Sequence, residues 1–279
     1  MVADYCLALW LWGRFGEYEP FRVTPRSAFR WLNQFSDPEK RAIAKAVRYL
    51  SYVSEHRFVK NLIDRNRALL SKLKQGKVPL TNVIYVSIGE AGSSSHSILN
   101  LVRDRAGLQN LGCRFTDGKS YDALSKLTNQ LGAGAIVYVD DFAGTGEQFC
   151  EEQEQLASYI IGNFSQYYLL HTVCEEALYK IDGNGVTPWQ HSIHAKVDRP
   201  LHEDSTILTT HERRILRDLC VKIGDGKRDS LGHGSVAASV VFYRNTPDNV
   251  PRIFRGGRQQ KHYLGLVPRT TDLPKPSIE

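Results

Sequence analysis

The sequence predicts an α/β protein, with a parallel sheet flanked by helices and a helical subdomain in front of it. Three observations carry this. Short β-branched apolar runs at 81–88, 136–139, 167–173 and 192–197 alternate with segments at helical spacing, the pattern of βαβ units. Two of those runs end in turns of small and hydroxylated residues that open a helix, which is how an α/β sheet presents a ligand at its carboxyl edge. The residues before position 80 show helical periodicity instead. The reading therefore divides the chain into a helical subdomain at 1–79, an α/β domain at 80–265 and a loosely ordered tail at 266–279.

The 279 residues, 42% hydrophobic, are enough to bury a sizeable core. The apolar segment at 5–12 lacks a basic lead and a cleavage site, and no run approaches the ~20 residues a membrane helix needs. Five scattered cysteines, without metal-like spacing, imply reduced thiols and a cytoplasmic protein with no membrane partner. Of these, Cys113, Cys150 and Cys174 are expected to pack as small hydrophobes. A net charge of +6 permits a nucleotide or nucleic-acid partner without demanding one.

Asp37-Pro38-Glu39 starts a helix whose apolar positions are Ile43, Val47, Leu50 and Val53. A second helix carries Phe58, Leu62, Leu69 and Leu73 and ends near Gln75-Gly76. Its other face is basic (Arg57, Lys60, Arg65, Arg67, Lys72, Lys74), either a solvated surface or a strip for nucleic acid or polyphosphate. The strand at 81–88 runs into a turn containing Gly89, Gly92, Ser93, Ser94 and Ser95, then a helix at 98–105. That turn lets a ligand approach the backbone but lacks the Lys-Ser/Thr pair of a P-loop. A short strand at 113–115 leads to an Asp-Gly turn, and Lys119-Ser120-Tyr121 is placed on a flap before a helix at 122–131.

The centre of the chain is the run at 136–139, which stops at Asp140 and Asp141. Ala143, Gly144, Thr145, Gly146, Glu147 and Gln148 form a turn, and a helix follows from 147 to 159. The two acids point to opposite sides of the strand end. The helix N-terminus behind them offers N–H groups and the positive end of a dipole to an anion. A hydroxyl-binding acid beside a phosphate cradle is the chemistry needed to hold a ribose 5-phosphate. Farther on, His191, His194, His202 and His211 lack zinc spacing and read as surface residues. Gly232 and Gly234 mark tight backbone before a strand at 238–243, and Arg252, Arg255, Arg258 and Lys261 suit phosphate, nucleic acid or a partner surface.

The stretch at 139–148 resembles the phosphoribosyltransferase signature, with Asp140, Asp141, Thr145 and Gly146 on its fixed positions. Gln148 departs from it, standing where those enzymes carry Thr or Ser. The resemblance implies a type I phosphoribosyltransferase-like fold. In that family the acids hold the ribose hydroxyls of phosphoribosyl pyrophosphate and a Mg ion, and the turn at 143–148 holds the 5-phosphate. The turn at 89–95 would take the pyrophosphate, and Lys119 would sit on the covering loop as a catalytic residue. The same stretch resembles, one residue out of register, the methyltransferase turn Asp-x-Phe-Ala-Gly-x-Gly, with Glu175 where such an enzyme binds the ribose of its cofactor. The catalytic Asn/Asp-Pro-Pro-aromatic tetrad of that family is missing.

Together with Val-Ser-Ile-Gly-Glu-Ala-Gly-Ser-Ser at 86–94, Leu-Gly-His-Gly at 231–234 and Val-Val-Phe-Tyr-Arg-Asn-Thr-Pro-Asp-Asn at 240–249, the signature is similar to the PRTase-CE proteins of bacterial conflict systems. That similarity implies an effector or accessory protein of antiphage defence, with a reverse transcriptase, a sensor or nucleic acid as partner. Three readings follow: a transferase acting on phosphoribosyl pyrophosphate or a nucleotide, a binding module on the same site without chemistry, and an S-adenosylmethionine-dependent methyltransferase.

Overall fold

The structure, a computed structural model, describes residues 2–89, 93–224, 229–257 and 263–273. The chain forms two compact units, Met1–Arg57 with His194–Glu279, and Phe58–Ile193. These limits differ from a division at 79/80 and 265/266, because the chain after Ile193 returns to the unit in which it began.

In the first unit, α1 (Val2–Phe15), α2 (Pro25–Leu32) and α3 (Asp37–Ala46) precede a short strand, β1 (Ser51–Val53). The cap of α3 is Ser36, one residue earlier than the sequence suggested. Its backbone N–H donates to the Glu39 carboxylate at 2.6 Å, while proline occupies the first turn, where its missing N–H costs nothing. The later part of this unit holds α9 (Thr210–Ile223), β7 (Val240–Phe242) and the four-residue α10 (Arg252–Arg255). The expected strand at 238–243 is thus short, and it pairs in parallel with β1, Ser51 opposite Val240, and not with the main sheet.

The part of the tail that is described is docked. The Tyr18 hydroxyl donates to the Pro268 carbonyl at 2.6 Å, and Leu266, Val267 and Asp272 are buried. The expectation of loose order over 266–279 fails for 266–273, because apolar side chains there join the core.

The second unit begins within α4 (Glu55–Gln75) and continues through β2 (Val83–Ser87), α5 (Ser94–Arg105), β3 (Arg114–Asp117), α6 (Tyr121–Leu131), β4 (Ala133–Ala143), α7 (Glu147–Ala157), β5 (Asn163–Cys174), α8 (Glu175–Gly183) and β6 (Thr187–His194). Five strands lie in the order β3-β2-β4-β5-β6, and the β2–β3, β2–β4 and β4–β5 pairs are parallel. On one face Ile84, Val86, Ile136, Tyr138, Tyr168 and Leu170 pack with Leu124 of α6, Phe149 and Leu156 of α7, and Ala177 and Ile181 of α8. On the other face α4 meets the sheet: the Tyr85 hydroxyl donates to Asn66 at 2.7 Å, and Phe58 stacks on His171 at 5.0 Å.

The basic side of α4 is not a bare strip. Arg65 lies over Trp189 at 4.4 Å, Lys72 lies over Trp189 at 4.9 Å, and Lys60 pairs with Asp64 at 2.7 Å. Cys113, Cys150 and Cys174 are buried. Among the described residues no helix is long and apolar enough to cross a membrane.

This strand order places the site. From β2 the chain crosses to β3 on one side, then returns past β2 to β4 on the other. The carboxyl ends of β2 and β4 therefore lead into crossovers running in opposite directions, the switch point at which open α/β sheets present their ligands.

Candidate functional site

Both turns singled out by the sequence lie at this switch point. The strand does not stop at 139 as expected: β4 runs through the acids to Ala143, with Asp140 opposite Leu170, Phe142 opposite Thr172 and Ala143 opposite Val173. The neighbouring β5 is long enough to pair these residues, and pairing overrides the local turn signal. The turn proper is Gly144, Thr145 and Gly146. Gly146 caps α7 at φ 75°, and a Cβ there would lie 3.3 Å from Ala177, so only glycine fits without strain. The helix following it is shorter than expected, ending at Ala157.

Asp140 is held firmly. Its Oδ1 accepts from the Ser94 hydroxyl at 2.7 Å and from the Asp141 N–H at 2.8 Å, while Oδ2 accepts from Tyr168 at 3.4 Å. Burial, and after it the adjacent Asp141 carboxylate, push the Asp140 carboxyl well above the ordinary range. Asp141 is 9% exposed, and its side chain reaches that of Asp140, so the two acids do not splay to opposite sides as expected. The Ser94–Asp140 bond joins the turn after β2 to the end of β4, two segments that the sequence could align only by resemblance.

The hydroxyls of Ser93 and Ser95, also expected to meet a ligand, are committed to the scaffold. Ser93 donates to the Ile88 carbonyl at 2.9 Å. Ser95, fully buried, donates to the Val139 carbonyl at 2.5 Å and accepts from the Ile88 N–H at 2.7 Å. Thr145 accepts from the Glu147 N–H at 3.3 Å. Gly89 takes φ 89°, and its N–H donates to the Glu152 carboxylate at 2.6 Å. Gln148 also donates to Glu152, at 3.3 Å. Glu147 is exposed and pairs with Lys180 at 3.2 Å. Ala143 and Gly144 are buried, and Gly92 lies outside the described residues.

Lys119 is exposed, and its surroundings form a pinned turn where a flap was expected. The Gly118 N–H donates to the Ser87 carbonyl at 2.8 Å, and the Lys119 N–H donates to Asp117 at 2.7 Å. A Cβ on Gly118 would come within 2.6 Å of the Ser87 oxygen, so the close approach needs glycine.

Sequence reasoning passed over Glu152, His96 and His171. Glu152 was within reach of it, since it lies four residues beyond Gln148 on one helix face. His96 sits 3.6 Å from Asp117, joining α5 to the end of β3. His171 had no local signal. The in-register neighbours Asp140–Leu170 and Phe142–Thr172 put it beside Asp141 across the β4–β5 pair. His194 is a structural residue, accepting from the Ser239 N–H at 2.9 Å.

The donor set of the acid pair is oxygen only. Among the described residues no group of three or more His, Cys, Asp or Glu gathers as a metal cage. A cation at Asp140 and Asp141 would thus take its remaining ligands from water and a bound molecule, the mode that suits magnesium. Two adjacent carboxylates, one pushed toward protonation by burial, are also the electrostatic situation a cation relieves.

The PRTase-CE family matches residues 29–269 of the chain. Among solved structures, the crystal structure of orotate phosphoribosyltransferase from Aeropyrum pernix is similar over 47% of this chain and 68% of that chain, at 15% sequence identity and a TM-score of 0.32. No curated protein matches.

Proposed function

The chain belongs to the PRTase-CE family, and from that premise we propose that the carboxyl ends of β2 and β4 bind a ligand carrying a ribose 5-phosphate, either phosphoribosyl pyrophosphate or a nucleotide, together with magnesium. The observation that carries this reading is the Ser94–Asp140 hydrogen bond at 2.7 Å, which ties the two ligand-facing turns together at the switch point of the sheet.

Asp140 and Asp141 would orient the ribose hydroxyls. The backbone N–H groups opening α7, behind Gly144, Thr145 and Gly146, would take the 5-phosphate. The turn after β2 would face the pyrophosphate. Magnesium, held by Asp140 and Asp141, would supply positive charge against the ligand's phosphates. In the transfer reading, the bond from the anomeric carbon to the pyrophosphate oxygen breaks, its electron pair leaves with pyrophosphate, and an acceptor atom bonds to that carbon. The chain's contribution is positioning and electrostatic stabilisation of the positive charge that builds on the sugar.

A specific observation also favours the second reading, a binding module without turnover. The Gly89 N–H, which a pyrophosphate would need, is occupied by Glu152 at 2.6 Å, and Lys119 rides on a pinned turn in place of a mobile cover. The proposal includes the cellular role implied by the family resemblance: a cytoplasmic effector or accessory protein of bacterial antiphage defence, acting with a reverse transcriptase, a sensor or nucleic acid.

Calorimetric titration with magnesium phosphoribosyl pyrophosphate tests the site. Wild type is expected to bind, and Asp140→Asn/Asp141→Asn to lose binding with its fold intact. Equal affinity in both would remove the site from the acid pair. Pyrophosphate release on adding candidate acceptors separates the enzyme from the binding module. S-adenosylmethionine is expected to produce no thermal shift, and a phage-plating assay with Asp141→Asn checks the defence role.

A further inference from the structure

The strongest unassigned feature lies in the first unit, where the two arginines of α10 enter the core. Arg252 and Arg255 have side chains 8% and 2% exposed. Both face one carboxylate, Asp272. Arg252 donates to its Oδ1 at 3.3 Å, but Arg255 stands 3.7 Å from its Oδ2, too far for a hydrogen bond. Among the described residues, the Arg255 Nε and the Asp272 Oδ2 are buried with no hydrogen-bond partner. Burial, and next the neighbouring Arg252, lower the Arg255 guanidinium to about 10.

The two buried guanidiniums share one buried carboxylate, which leaves a local excess of positive charge that burial penalises unless it is paired. Beside them opens a cavity of about 320 Å³, lined also by Arg269, Thr271, His233 and Asp248. At its rim Arg269 lies 3.5 Å from Asp248, and Asp229 lies 3.9 Å from the His233 imidazole.

We propose that this cavity binds a terminal phosphate dianion, a phosphomonoester, in a site separate from the ends of β2 and β4. Such a group brings several acceptor oxygens to two donor forks that have one carboxylate between them, and guanidinium geometry matches phosphate oxygens two at a time. Thr271 adds a hydroxyl at the wall. The acids at the rim, Asp229 and Asp248, set the limit: one phosphate fits the buried charge, whereas a polyphosphate chain or a run of phosphodiesters would meet them in like-charge repulsion. The phosphate belongs either to a small molecule or to the 5′ end of a nucleic acid. The Leu-Gly-His-Gly segment supplies part of the wall. Its Gly232 is forced by the Asn249 backbone, 2.0 Å from where a Cβ would stand, and this places His233 at the cavity mouth.

The test uses the full chain carrying Asp140→Asn/Asp141→Asn, so that phosphate held at β2 and β4 does not contribute. Inorganic phosphate is titrated while the arginine Nε–H signals are followed by NMR. The expected result is a saturable shift of a signal that Arg255→Lys removes, with phosphate affinity about tenfold weaker in Arg255→Lys, since lysine loses the paired contact. Asp272→Asn, which removes the competing carboxylate, is expected to bind phosphate about tenfold more tightly. If Arg255→Lys fails to fold, Arg269→Gln at the rim replaces it, with a smaller loss expected. A purely structural staple would lose thermal stability in these variants with no change in phosphate affinity, and that result, or no saturable shift in the millimolar range, overturns the site. Ribose 5-phosphate, a 5′-phosphorylated trinucleotide and its 5′-hydroxyl counterpart then identify the source. Tighter binding of the phosphorylated trinucleotide than of the sugar phosphate assigns a nucleic-acid end, and the reverse order assigns a small molecule.

Discussion

Gly146 answers to two constraints at one atom. Its φ of 75° excludes ordinary side chains, and Ala177 stands 3.3 Å from the position of a Cβ. Gly107 has a similar φ of 62° with nothing within 4 Å, so it carries the conformational constraint alone. Alanine at either position is expected to cost about 1–2 kcal/mol for the left-handed backbone. Gly146→Ala should cost more, and should also weaken ligand binding by shifting the start of α7. Urea denaturation of both variants checks this, and equal losses would show that Ala177 yields without cost. His171 makes a second case at the same scale. It is 3% exposed, and burial, followed by the nearby His191, lowers its imidazole from 6.5 to about 3. Because the folded value lies below the unfolded one, the unfolded chain takes up the proton first as the pH drops. The stability contributed by neutral His171 is therefore complete above pH 6.5 and drains away between 6.5 and about 3. Between pH 7 and pH 5 that amounts to about 2 kcal/mol. His171→Gln should start less stable, having lost the stack on Phe58, yet fall less steeply over that interval. Parallel slopes for the two proteins would refute the burial argument.

At the scale of elements, α7 does two things with one face. Its first turn stands behind Gly144, Thr145 and Gly146, and one turn farther on Glu152 holds the Gly89 N–H at 2.6 Å. An anionic ligand reaching that N–H must displace a carboxylate, so Glu152→Gln is expected to tighten magnesium phosphoribosyl pyrophosphate about tenfold, the scale of one charge-assisted hydrogen bond. Weaker binding on calorimetry would mean that Glu152 shapes the turn and does not compete for it. This pair also shows where sequence reading runs out. The start of α7, the body of α4 and the strand β2 were legible because caps, apolar spacing and β-branched runs are local signals. The extension of β4 through Asp140 to Ala143 was not, since it depends on the length of β5. The bond from Gly89 to Glu152 depends on two crossovers bringing distant turns together. The acids themselves were legible as a pair at a strand end beside a turn, but the commitment of Ser93 and Ser95 to backbone carbonyls was not, because a hydroxyl in a turn looks the same whether it faces a ligand or the chain.

At the scale of the whole chain, the division into units was the least legible feature. The run at 238–243 has the composition of a core strand, but β7 pairs with β1, Ser51 opposite Val240, and nothing local to either strand encodes a partner so far away. The consequence is that Phe58–Ile193 is inserted between two segments that together make the other unit. The five-stranded sheet and every described residue of the acid-pair site belong to the inserted unit, with a core of its own around Ile136, Tyr138, Phe149 and Leu170. A fragment spanning 54–194 is therefore expected to fold cooperatively and to bind magnesium phosphoribosyl pyrophosphate within a few-fold of the intact chain. A fragment ending at residue 57 is expected to remain unfolded by itself, since β1 leaves β7 behind and a lone short strand has no stable state in water. Circular dichroism melts of the two fragments, with calorimetry on the longer one, decide between this and the alternative. If the longer fragment melts without cooperativity, the sheet needs the flanking segments to fold. If it folds but does not bind, the ligand draws on residues outside the inserted unit, and the acid pair is only part of the site.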